Sequence, residues 1–339
     1  MAKYLNFDLG KNSRQWAYSM GLIPGIVTIW GNLEGGWYTS FNIIYSLGLL
    51  GILDQIFGED HSNEAVDTRI PKVWIWSHFL VHVVAMITLF YQIHELNLMG
   101  WEKWMAVFST GLLGGSSAVV VAHEMVHKAS PWYRYPGQFL LLSVGNPYFY
   151  VHHLRIHHRD VATKNDAVTA RKGETIYQFM VRAIFQQHVQ AWKSEQVRLK
   201  KKRMAQQVIN NIQIRNYVFL LFTSLILWQW DMEVLKAWWV LSIFAAILLE
   251  YVNYIEHYGL ERDSSTPVGA QHSWNTQRII SRYLLLDLPR HSHHHMHANL
   301  DYYKLKEVPN ERVLPGGYAS LIMPVFSVVV WFKMMNHRL

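Results

Sequence analysis

Apolar residues in this chain gather into long blocks. Six of them, at about 15–32, 37–57, 72–93, 103–122, 212–230 and 234–256, approach the ~20 residues a helix needs to cross a bilayer's hydrocarbon. They predict an all-α membrane protein, a bundle of six transmembrane helices. Short links at 33–36, 94–102 and 231–233 pair the spans into three hairpins, and the segments 1–14, 58–71, 123–211 and 257–339 share the other face. Pro24 falls inside the first span. The fourth carries GLLGGSSA (111–118), small residues that let a neighbouring helix approach closely. Two further apolar stretches, 136–151 and 317–332, are short or broken by proline, which predicts interfacial or re-entrant helices. No repeat or flexible linker divides the chain, so it reads as a single domain, 1–339, with a cap formed by 123–211 and 257–339.

Charge orients the bundle. Of 31 Lys and Arg, only Lys103 and Lys236 sit beside the short links, while the opposite segments hold the others, including the run Arg198, Lys200, Lys201, Lys202 and Arg203. The positive-inside rule places both termini and the His-rich cap on the cytoplasmic side. Composition agrees: 51% of residues are hydrophobic and 16% charged, against roughly 25% charged in soluble domains. That excludes a disordered chain, a coiled coil and a nucleic-acid module, despite a net charge of +7. The mean hydropathy of +0.02 implies substantial mass outside lipid. The N-terminal stretch lacks the pattern of a cleaved signal peptide. Cysteine is absent, so the chain can hold no disulfide, catalytic thiol or Cys-ligated metal.

Histidine numbers 19 and is clustered. HEMVHK places His123 and His127 four apart at the end of the fourth span, and HHLRIHH holds His153, His157 and His158. His257 ends the sixth span. HSHHHMH spaces His291, His294 and His295 at helical 0, 3, 4. Even-numbered spans emerge on the cap side, so the topology brings these groups to one level. Nine imidazoles exceed what one ion accepts, and two metals are the natural count. An imidazole set suits zinc, copper, iron or nickel. A zinc protease using His123, His127 and Glu124 would leave most of the cluster without a role, whereas a di-iron centre at the mouth of an apolar bundle uses all of it.

The chain resembles the integral-membrane non-haem di-iron alkane 1-monooxygenases, related to xylene monooxygenases and fatty acid desaturases and hydroxylases. The resemblance runs through LDQIFGEDHSNE (53–64), HEMVHK, HHRDVATKNDAVTARKGETIYQF (157–179), NYIEHYGLER, QHSWN, LPRHSHHH, LPGGY and WFKMMNHRL. It implies that His123, His127, His153, His157, His158, His257, His291, His294 and His295 bind two iron ions, with O₂ as co-substrate. It implies terminal hydroxylation of medium- or long-chain n-alkanes and a multi-pass protein of the bacterial inner membrane. Electrons would come from external rubredoxin, fed by an NADH-dependent reductase. The alternatives are xylene-type methyl hydroxylation, or lipid hydroxylation or desaturation, on the same scaffold. His152 and His293 stand where the family usually has acidic residues.

Around the nine His, Glu124, Asp160, Asp166, Glu250, Asn253, Glu256 and His293 are candidates to hydrogen-bond and tune ligands. Glu250, within an apolar run and seven residues before His257, is costly there unless functional. His78 and His82, on the third span, read as helix–helix hydrogen-bonding residues. His297 reads as a residue beside the ligands or on the surface, and His272 equally as one near the site or in a loop. Ser46 and Gly48 are small residues with the capacity to lengthen an apolar tunnel through the bundle.

Overall fold

The computed structural model describes residues 11–64, 66–204 and 209–339. Residues 1–10 of the expected N-terminal cytoplasmic segment, position 65 and positions 205–208 of the expected cap lie outside the described residues. The protein is mostly helical, and each of the six apolar blocks folds as helix. The first two are irregular. α1 (11–34) tightens into a 3₁₀ turn at Tyr18–Leu22 just before Pro24, and α2 (36–56) widens into a π turn at Ile44–Leu49. Pro24 stands in the first turn of Ile23–Glu34, where no helical N–H is lost. The other four are α3 (Arg69–His94), α4 (Gly100–Val126), α8 (Ile212–Trp230) and α9 (Met232–His257). Among the described residues, α3, α4 and α9 are long and apolar enough to cross a membrane.

α4 is the central helix, and its small residues explain how. A Cβ on Gly115 would lie 2.7 Å from Leu248 Cβ, and one on Gly111 3.0 Å from the Leu241 carbonyl oxygen. Only glycine lets α4 and α9 come this close. Large side chains such as Ile26, Leu80, Ile87, Phe222 and Ile226 point outward and are exposed, a surface suited to hydrocarbon rather than water. The three short links meet at one end of the bundle. Gly36 N–H donates to Glu102 Oε2 at 3.0 Å, His94 Nδ1 pairs with Asp231 Oδ2 at 3.0 Å, and Lys103 Nζ reaches Glu233 Oε2 at 2.6 Å.

Between α4 and α8 come α5 (Pro131–Ser143), α6 (149–160) and α7 (Ile176–Lys201). Thr175 and Gln178 start α7 with a reciprocal capping box. The apolar stretch expected at 136–151 is therefore not one helix: it breaks at Gly145, whose φ of +66° suits a residue without a Cβ. After α9 follow α10 (Ile279–Leu284), α11 (His291–Met296), α12 (Tyr318–Phe326) and α13 (Val328–Met335). The expected 317–332 stretch divides at Ser327, just past Pro324. Among the described residues the all-α expectation departs at a two-residue parallel pair of β1 (Trp274–Asn275) with β2 (Arg312–Val313) and at an isolated bridge between Glu59 and Arg278.

A buried ionic network fixes the turn between α10 and α11. Leu286 and Asp287 take left-handed backbone conformations, with φ of +51° and +52°, which non-glycine residues adopt only at a cost. Asp287 accepts from Arg282 Nε at 2.7 Å and from the Tyr18 hydroxyl at 2.5 Å, and pairs with Arg14 at 3.5 Å. Asp60 accepts from Arg282 and Tyr283, joining the segment before α3 to the same knot. Burial alone would raise the Asp287 carboxyl, but Arg282, Arg290 and Arg14 outweigh it and hold the group below its ordinary range. Asp287→Ala leaves buried guanidinium groups short of a counter-charge. Since Asp60 still serves Arg282, the expected loss is at the low end for a broken buried pair, about 3 kcal/mol, measurable by chemical unfolding of the detergent-purified protein.

Candidate metal centre

Four helix ends deliver the histidines. α4 carries His123 in its last turn and reaches His127 at its C-cap. α6 is wound as a π-helix over His153–His157, and the His158 N–H bonds back to the His153 carbonyl, five residues earlier. That wider turn aligns His153 with His158, which a regular α-helix would hold about 140° apart; such bulges recur at functional sites. α9 ends on His257, and α11 turns His291, His294 and His295 inward.

These nine side chains converge in two adjoining groups. His123, His127, His153, His158 and His294 form one, and His157, His257, His291 and His295 the other; within each, the potential ligand atoms all lie within 4.8 Å of one another. The groups touch where the rings of His158 and His295 stand 4.6 Å apart. In the first group the Nε2 atoms of His127, His153 and His158 are mutually 2.9–3.2 Å apart, and His294 Nε2 is 3.1 Å from that of His158.

Hydrogen bonding cannot satisfy this arrangement. A ring nitrogen of a neutral imidazole is either donor or acceptor, so three nitrogens in mutual contact must include one like pair. A shared cation removes the conflict, because every nitrogen then turns a lone pair inward. Ligand nitrogens about 2.0–2.1 Å from one ion stand roughly 3 Å apart, as these do. His123 Nε2 and both ring nitrogens of His257 are buried without a hydrogen-bond partner among the described residues. The donor set therefore fits two transition-metal ions. Burial, reinforced by neighbouring imidazoles, pushes His153, His158, His291, His294 and His295 well below the ordinary histidine range, leaving them neutral and able to coordinate.

The surrounding carboxylates divide. Asp166 Oδ2 lies 2.9 Å from His157 Nδ1 and orients that ring. Burial would raise Asp166, but His157 beside it and hydrogen-bonded to it holds it far below the usual range. Glu256 Oε2 is 3.2 Å from His291 Nε2, and its other oxygen accepts from the Tyr318 hydroxyl at 2.7 Å. The remaining candidates make no hydrogen bond or ion pair with the nine His among the described residues. Glu250 accepts from Gln187 at 2.6 Å and from Asn253 at 3.2 Å, bracing α7 against α9. Asn253 nevertheless borders the cavity at the cluster. Glu124 takes Lys128 at 2.6 Å and the Tyr302 N–H at 3.3 Å, so it is committed away from a proteolytic role. Asp160 pairs with Arg159 on the surface. His293 accepts from the Lys306 N–H and lies against His297. His152 reaches Gln190 at 3.0 Å, outside both groups. His272 accepts the Gly269 N–H. His78 and His82 bond Ser117 and Ser143 across helices, at 2.7 and 2.9 Å.

Several supporting residues carried no signal beyond their place in a motif. Tyr318, in LPGGY, holds Glu256. Asn275, on β1, accepts the Ser292 N–H at 2.8 Å and so fixes the start of α11. Arg290 anchors the same turn through the carbonyls of Leu305 and Ser62.

An apolar chamber adjoins the cluster. Gly21, Ser46, Leu50, Leu112, Leu284 and Ile322 line it, and no charged side chain does so among the described residues. Gly115, Val120, Val252 and Leu288 belong both to this chamber and to the cavity bounded by His123, His153, His157 and His291, so the two share a wall. Gly48 is not in its wall.

The sequence is similar to those of known proteins. The family model "Fatty acid desaturase" matches residues 99–324, which contain all nine His. Alkane 1-monooxygenase 2 of Alcanivorax borkumensis is 31% identical, over 95% of this chain and 88% of its own length. Alkane 1-monooxygenase 1 of Pseudomonas aeruginosa is 30% identical, over 89% and 83%. More distantly, the hydroxylase component of a xylene/toluene monooxygenase from Pseudomonas putida is 26% identical over 67% of this chain and 62% of its own. With the family model covering two thirds of its residues and the alkane 1-monooxygenases matching nearly its whole length, the chain belongs to the fatty acid desaturase family, among the alkane 1-monooxygenases.

Proposed function

We propose that this protein hydroxylates the terminal carbon of medium- or long-chain n-alkanes, at two iron ions held by the nine histidines. The observation that carries this reading is an uncharged apolar chamber that shares a wall with the cavity at a paired imidazole cluster. Bound iron would supply the activation of O₂. His123, His127, His153, His158 and His294 would hold one ion, and His157, His257, His291 and His295 the other. Asp166 and Glu256 orient two of these rings. The chamber offers an alkane no polar anchor, so access selects the chain end, and the narrow residues shared by the two cavities keep water away while the terminal carbon is positioned.

The topology follows the same reading. The six helices cross the bacterial inner membrane with the three linked ends outside and both termini and the cap in the cytoplasm. The bonding among the three short links supports this, as does the distribution of Lys and Arg. One oxygen atom enters the alkane and the other leaves as water, with the alkane giving two electrons and an external donor two more. A chain without cysteine carries no Cys-ligated redox centre of its own, which makes a rubredoxin with its NADH-dependent reductase the fitting donor, docked on the basic cytoplasmic face.

The direct test is iron analysis together with product formation from n-octane and xylene by membranes containing the protein. Iron and 1-octanol are expected, and a preparation with one zinc and no iron would sink the proposal. Replacing any one of the nine His by alanine should abolish hydroxylation, whereas His78→Ala should keep most of it; a fully active His257→Ala refutes the ligand set. Ser46→Trp projects an indole into the chamber and should shift products toward shorter alkanes, read by gas chromatography across chain lengths. With NADH alone the purified protein should be inactive. Rubredoxin and its reductase should restore turnover, and the apparent affinity for rubredoxin should weaken as salt rises through about 0.15 M, where the screening length is roughly 8 Å.

A further inference from the structure

Helix α7 does not resemble a helix of a water-soluble cap. Tyr177, Val181, Phe185 and Trp192 recur along one face and all point outward, with Val181 75% and Phe185 69% exposed. The opposite face is buried through Phe179, Ala183, Gln187 and Ala191. Exposed apolar residues continue onto α8 at Leu221, Phe222, Leu225 and Ile226. Between the two helices runs an open groove of about 690 Å³, walled by Val189, Trp192, Ile214, Val218 and Leu221, within the ~300–1,000 Å³ typical of ligand sites. Two of its polar side chains satisfy each other, because His188 and Tyr217 bond across the two helices.

The rim is positive. Lys193 borders the groove and is exposed, and Lys200, two helical turns further along the same flank, is exposed as well. Neither pairs with an acid among the described residues, nor do Lys201 and Lys202. Other cations nearby are committed: Arg155 and Arg198 both bind Glu195, and Arg182 binds Glu174. An apolar slot open along its length, with unpaired lysines at one end, has the chemistry of an acyl chain below an anionic headgroup.

We infer that the α7–α8 groove binds an anionic phospholipid, its acyl chain along Val189, Trp192, Val218 and Leu221 and its phosphate at Lys193 and Lys200. This rests on the topology proposed above, which puts the start of α8 at the cytoplasmic membrane surface. The site bears on the metal cluster because the other side of α7 holds it from behind. Gln187 bonds Glu250 on α9, and Gln190 bonds both His152 and the Asn165 carbonyl beside Asp166. A lipid seated in the groove packs α7 against those partners.

The test reconstitutes the full chain in nanodiscs of phosphatidylcholine with phosphatidylglycerol and counts the lipids retained after detergent release by native mass spectrometry. Wild-type protein is expected to retain phosphatidylglycerol over phosphatidylcholine. Lys193→Gln with Lys200→Gln should reduce that preference by roughly 30-fold, the effect of about 1 kcal/mol for each lysine near an anionic surface. Val218→Trp, which fills the slot and leaves the charges in place, should lower retention of both lipids. Equal retention of the two lipids by wild type, or a preference unchanged in the double variant, overturns the site. The topology is tested separately, since a Lys200→Cys variant carries the chain's single thiol. A membrane-impermeant maleimide should label it only in inside-out vesicles. Labelling from the outer side refutes the topology, while the retention measurement still decides the groove.

Discussion

Converging imidazoles that cannot satisfy one another set the terms for the rest of this structure. Neutral rings with lone pairs facing inward repel, and no assignment of protons to His127, His153 and His158 gives every contact a donor and an acceptor. Such a cluster persists only if shared cations bind it or rigid surroundings hold it. The chain supplies rigidity from four directions, with His123 and His127 on α4, a π turn in α6, the end of α9 and the short helix α11. Burial keeps the rings outside the spans neutral, which suits them as ligands and makes a metal-free cluster expensive.

Much of the remaining polar structure positions α11, a histidine-bearing helix of six residues with no long span behind it. Asn275 and the small β pair fix its first turn, Arg290 ties its approach to two carbonyls, and the Asp287 knot braces the preceding turn. Glu256 then links His291 to Tyr318. Buried ion pairs seldom add stability over apolar packing, but breaking one is costly. Their value here lies in placing three histidines on a six-residue helix that could not place itself.

The apolar side has a matching logic. Glycines on α4 draw α9 close, while smaller side chains and hydroxyls leave an uncharged chamber beside that contact. The chamber meets the cluster through four residues, so dry space and metal-binding chemistry share one wall. The outer surface is apolar over the long helices and continues onto α7, the helix whose inner face braces Glu250 and His152. Lipid-facing and site-facing roles thus fall on opposite sides of one helix.

The sequence by itself determined the helical character and the apolar segments and singled out the nine histidines that converge, because hydropathy and residue type are local properties that survive without coordinates. It also singled out Asp166 and Glu256 beside the rings, by their proximity to the histidine motifs. Only the tertiary structure decided how the nine divide into five and four. The π turn in α6 replaces a 3.6-residue repeat with a wider one, and the division depends on which helix ends meet. Spacing along one helix brought Glu250 into consideration for the ligands, yet its partners Gln187 and Asn253 draw it to α7, and Asp160 turns to Arg159. A side chain's partner is chosen across the fold, from elements more than 60 residues away in the case of Glu250 and Gln187, so no local pattern could announce it.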